Sequence, residues 1–91
     1  MITKTAVIKN NAGIHVRPTG VIIKECSSIE DEVLIYAKEM DTDLKDHIGL
    51  LAMGLCKGDE VVVIVKGEGE EETAQKIVEL LERHYDFPPR E

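Results

Sequence analysis

Tryptophan is absent from this chain, and the aromatic rings are limited to Phe87, Tyr36 and Tyr85. A core must therefore be assembled from Val, Ile, Leu, Met and Ala, and stacked bases would find few platforms. Positive charge is also scarce: 11 Lys and Arg against 18 Asp and Glu leave a net charge of -7. Affinity for a nucleic-acid backbone rests on cations that neutralise phosphates, so no nucleic-acid partner is expected. An anion site on such a chain has to hold its positive potential locally. Only two cysteines occur, Cys26 and Cys56, with no C-x-x-C spacing, and they read as free thiols. No hydrophobic run reaches the roughly 18 residues of a membrane span, and Met1 to Thr5 lacks the basic-then-apolar order of a secretory signal. No membrane insertion and a cytoplasmic location are expected. His15, His47 and His84 lack short-range ligand spacing, so neither a metal nor another cofactor is expected.

What is present organises into a single expected domain over 1–91, a length that buries roughly 60% of the unfolded surface and requires short loops. Ile2 to Lys9 alternates like a strand, with Ile2, Ala6 and Ile8 on one face. From Val16 to about Ser27 the spacing turns helical, placing Thr19, Ile22, Ile23 and Cys26 on one side. Gly20 inside that helix marks a place where something could pack close. Glu32 to Ala37 reads as a second strand with Val33 and Ile35 on one face. Met40 to Asp43 reads as a third, returning through Lys38-Glu39, a turn that lacks the Asn-Gly chemistry of tight hairpins. A short apolar helix follows Asp46, carrying Ile48, Leu50, Leu51 and Met53. The β-branched run Val61 to Val65 predicts a central strand covered on both faces. A last helix starts within Glu70-Glu71-Glu72, where carboxylates favour the positive helix end, and buries Ala74, Ile77, Val78, Leu81 and Tyr85. Pro88 and Pro89 forbid its continuation, and 86–91 reads as a frayed tail. The order βαββαβα predicts an α+β open-faced sandwich, three helices on one face of a four-stranded, mainly antiparallel sheet.

The most informative segment is Asn10-Asn11-Ala12-Gly13-Ile14-His15-Val16-Arg17-Pro18-Thr19. A helix start presents unpaired N–H groups and a positive dipole end, which stabilise an anion before any side chain helps. His15 offers a nucleophilic ring nitrogen, and Arg17 a planar cation matched to phosphate oxygens. The alternative is a solvated loop histidine. Ile48 and Leu51 likewise carry two readings, core residues or an exposed apolar patch that partners dock on.

Together, Gly13 to Pro18, Lys45-Asp46-His47-Ile48-Gly49-Leu50-Leu51-Ala52-Met53-Gly54 and Lys57-Gly58-Asp59-Glu60-Val61 resemble the bacterial histidine-containing phosphocarrier family HPr, over nearly the whole chain. The resemblance implies a carrier of the phosphoenolpyruvate-dependent sugar phosphotransferase system, not an enzyme in its own right. His15 would accept a phosphoryl group on Nδ1 from phosphorylated enzyme I and pass it to an enzyme IIA domain. Arg17 and the amides of Val16 and Arg17 would hold the phosphoryl oxygens. It also implies a docking face at Gly20, His47, Ile48 and Leu51, and a chain that works as a monomer without metal.

Two positions depart from the family pattern. Asp46 stands where many relatives carry a serine that a kinase phosphorylates, so it cannot take that phosphate. Either it supplies part of the negative charge permanently, giving a regulatory module that acts on a transcriptional regulator or kinase, or it is the N-cap of the second helix. Val16 puts a β-branched side chain where the family more often has a small residue or threonine, which could crowd the phosphoryl group.

Overall fold

The alternation of apolar and polar side chains decides which way each strand faces. The structure, a computed structural model, describes residues 1–10, 13–14 and 16–83, with the side chains of Val16, Arg17 and His47 left aside. Its elements are β1 (Ile2–Val7), α1 (Val16–Glu25), β2 (Glu32–Ala37), β3 (Met40–Asp43), α2 (His47–Ala52), β4 (Glu60–Lys66) and α3 (Glu70–Glu82). The strands form one sheet in the order β1-β4-β2-β3, and every pairing is antiparallel. All three helices lie on one face, as expected for an open-faced sandwich.

Register places Ala6 opposite Val61, Val33 opposite Val65 and Ile35 opposite Val63, so the inward residues of three strands meet in one buried layer. Helix α3 closes it over β1 and β4 with Ala74, Ile77, Leu80 and Leu81, and α1 adds Ile22 and Cys26. The predicted stripe on α3 omitted Leu80 and included Val78, which is half-buried, and Tyr85 and the tail lie outside the described residues. Three carboxylates, Glu70, Glu71 and Glu72, occupy the first turn of α3, complementing its dipole. None of the helices among the described residues is long and apolar enough to cross a membrane.

Three local expectations need correction. β4 is central in strand order, yet only Val61, Val63 and Val65 are buried, while Val62 and Ile64 are half-exposed on the face without helices. A β-branched run suits a central strand whether or not a second layer covers it. Helix α1 ends at Glu25, short of Ser27, because the Ser27 N–H donates to Lys24 O (3.3 Å), an i→i−3 bond that tightens the last turn. Among the described residues nothing packs against Gly20: a Cβ added there would meet none of their atoms within 4 Å.

The β2–β3 hairpin forms despite its unfavourable turn. Lys38 and Glu39 both adopt left-handed backbone angles, φ 52° and 63°, between the paired residues Ala37 and Met40. A two-residue turn with positive φ at both positions matches strand twist, which is why Asn-Gly normally fills it. Here the surroundings supply the hold: Lys38 Nζ donates to Gly54 O (2.6 Å) and pairs with Asp59 (3.0 Å).

Candidate functional site

The segment leading into α1 is anchored on both sides of a sharp bend. Asn10 is fully buried, its amide Nδ2 donating to Gly13 O (2.7 Å), and the Gly13 N–H returns a bond to Asn10 O (2.9 Å). Gly13 takes φ +72°, and a Cβ there would collide with the Leu55 carbonyl, so both conformation and space demand glycine. One residue on, the Ile14 N–H donates to that same carbonyl (2.9 Å), and the Ile14 side chain is buried in the core.

His15 follows directly and lies outside the described residues. Val16 and Arg17 are the first two residues of α1, with Pro18 next, so the residue before this helix is the predicted phosphoryl acceptor. Helix first-turn N–H groups lack intrahelical partners, and they face the region that precedes the helix. Val16 and Arg17, the residues whose amides are expected to hold the phosphoryl oxygens, therefore lie in the first turn of α1. Thr19, Ile22 and Cys26 are buried, as their spacing predicts, whereas Ile23, expected on the same side, is half-buried.

Helix α2 brings the second set of predicted residues nearby, since α1 and α2 pack together. Its N-cap is Asp46, whose Oδ1 accepts from the Gly49 N–H at 2.9 Å while its carbonyl accepts from Leu50 N. Gly49 is required by this cap: a Cβ would strike Thr42 Oγ1 and approach the Asp46 carboxylate to 2.9 Å. Of the two readings for the apolar positions, Ile48 resolves to exposure, at 80% of its surface, whereas Leu50 is fully buried and Leu51 is half-buried. Gly20 is half-exposed, with no atom of the described residues within 4 Å of an added Cβ, and the side chain of His47 is not among those described.

The comparisons with known proteins agree with this geometry. The family model for the HPr phosphorylation-site component of the phosphotransferase system matches residues 2–83. The chain belongs to the HPr family. Among HPr relatives, a phosphocarrier protein from Borreliella burgdorferi is 30% identical over 82 residues, covering 90% of this chain and 95% of the relative. The solved histidine-containing phosphocarrier protein of Mycoplasma superposes with a TM-score of 0.78 at 28% identity, covering 87% and 90% of the two chains. HPr from Thermoanaerobacter tengcongensis gives a TM-score of 0.78 at 27% identity, covering 89% and 91%. As an HPr, this protein is a phosphoryl carrier between enzyme I and enzyme IIA and has no catalytic turnover of its own.

Sequence reasoning missed a polar cluster behind the Gly13–Ile14 bend. Asp59 accepts from the Cys56 N–H (2.7 Å) and pairs with Lys38, which in turn holds Gly54 O. The Cys56 N–H first, and the Lys38 ammonium second, hold the Asp59 carboxyl below its ordinary range. The available signal was a hairpin turn without glycine or asparagine, which implied that something else had to secure it. Cys26 is a packing residue, and burial pushes its thiol pKa up, with Glu25 acting in the same direction against Lys76 and Lys45.

Proposed function

We propose that His15 is the phosphoryl acceptor, through Nδ1, and that Arg17 and the amides of Val16 and Arg17 balance the charge of the bound phosphoryl group. The observation that carries this reading is the start of α1 at Val16, immediately after His15, within a chain that matches the HPr family over residues 2–83. In the transfer, a lone pair on neutral imidazole forms the new N–P bond while the donor's bond to phosphorus breaks, its electron pair staying with the donor. Imidazole titrates near pH 6.5 when unperturbed, so the neutral nucleophile is available near neutrality. The protein's contribution is position and charge compensation, as in phosphoryl transfer generally.

Gly20, His47, Ile48 and Leu51 form the docking face that enzyme I and enzyme IIA share in turn. The exposure of Ile48 on α2, a helix that packs against the one carrying Gly20, supports this assignment, because uncovered apolar surface suits a transient interface. Asp46 acts as a helix cap, a role its bond to Gly49 N accounts for without a regulatory charge.

Incubation with enzyme I and phosphoenolpyruvate tests the assignment. Acid-labile phosphohistidine should appear on the wild-type protein and vanish in His15→Ala, and label persisting in that variant would refute it.

A further inference from the structure

Behind the bend that delivers His15 lies a loop, residues 54–59, secured at more points than its size requires. The Leu55 carbonyl supports Gly13 by contact and Ile14 by a 2.9 Å hydrogen bond. The peptides on either side of Leu55 are in turn fixed by side chains. Gly54 O receives the Lys38 ammonium, and Cys56 N–H donates to Asp59, which also carries the ion pair with Lys38. The far end of the loop is stitched to β1's extension, Ile8 N–H to Asp59 O (3.0 Å) and Gly58 N–H to Ile8 O (2.8 Å).

We propose that Lys38 and Asp59 are positioning residues for phosphoryl transfer: they clamp the main chain at 54–56, and the Leu55 carbonyl conveys that rigidity to Gly13 and Ile14, the two residues that precede the acceptor histidine in sequence. The proposal rests on His15 being the acceptor. Each side chain acts on backbone that another segment leans on, Lys38 on Gly54 O and Asp59 on Cys56 N–H. The placement of Lys38 makes the point. A lysine in a left-handed turn position is conformationally unfavourable, and its ammonium is spent on two partners of the loop rather than on solvent alone. The Cys56 N–H and the Lys38 ammonium both favour the ionised form of Asp59. Reacting atoms must be held to a fraction of an ångström, so slack introduced one residue before the nucleophile is felt in the rate.

The double variant Lys38→Asn with Glu39→Gly separates positioning from stability, since Asn-Gly is the preferred pair for this turn and removes only the clamp. Asp59→Asn is the companion, keeping the shape but not the charge. With enzyme I and phosphoenolpyruvate, both should lower kcat for phosphorylation about tenfold while leaving the KM for this protein unchanged. Melting temperature should be maintained or raised in the double variant, and the Ile14 amide should exchange faster than in wild type while the β4 amides do not. Transfer at the wild-type kcat, or a defect confined to KM, overturns the clamp. Failure of the wild-type protein itself to take label overturns the acceptor assignment instead, and the two failures are read from different samples.

Discussion

The covered and open faces of β2 and β4 are made of the same kinds of residue and meet opposite fates. Val33, Ile35, Val61, Val63 and Val65 are buried beneath the helices, while their neighbours Leu34 and Tyr36 are exposed at 39% and 43%. Val62 and Ile64 are half-exposed. Hydrophobicity alone does not assign a face; the helical layer does. Helix α2 repeats the contrast over two positions, Leu50 in the core and Ile48 in solvent, and there the exposed member has a use, because a carrier must present apolar surface to its partners.

The contrast can be broken first at Ile35. Ile35→Ala should cost about 2–5 kcal/mol, measured by urea unfolding, through lost burial and a cavity that the layer cannot fill. In a domain of this size that lowers Tm by roughly 10 °C or more. A cost under about 1 kcal/mol would mean that the two faces are not energetically distinct. Next comes the cap: Asp46→Ala should lose about 1 kcal/mol, and Asp46→Asn much less, since either Asp or Asn can accept from Gly49 N. Ile48→Ser sharpens the comparison by splitting stability from function. It should stay within about 0.5 kcal/mol of wild type while raising the KM of enzyme I for the carrier. Leu34→Thr, on the open face of the sheet, should change stability within about 0.5 kcal/mol and leave transfer untouched.

The smallest effect concerns acid. Asp59 has a folded-state pKa below its unfolded value, so its stabilising contribution is complete above the ordinary carboxylate range, about pH 4, and is lost as pH falls below that range. Asp59→Asn should therefore narrow its stability gap from wild type in acid titrations monitored by circular dichroism, and a gap that stays constant down to pH 2 would contradict the linkage.

Most of the architecture was legible because hydrophobic period switches cleanly between two and 3.6 along the chain, and because Asp46 and the Glu70 cluster mark helix starts. The residue types of the transfer site were legible too, in the order Gly13, His15, Arg17, Pro18. The open face of β4 was not, since a β-branched run looks the same with one layer over it or two. Nor was the clamp: Lys38 and Asp59 lie 21 positions apart in sequence, and only the β2–β4 pairing brings their strands side by side. Ile48 illustrates an intermediate case. Its helical spacing allowed either face, and with Leu50 and Met53 buried in the core Ile48 is left in solvent.

The hairpin between β2 and β3 carries a consequence for the order of folding. Two left-handed residues that are neither glycine nor asparagine disfavour the turn on its own, by about 1 kcal/mol each. It has little local impetus to nucleate, and the ammonium that secures it finds its acceptors only once the segment 54–59 is in place. β3 is therefore expected to join the sheet after β4 has docked, and in stopped-flow kinetics Thr42→Ala should speed unfolding while leaving the folding rate nearly unchanged.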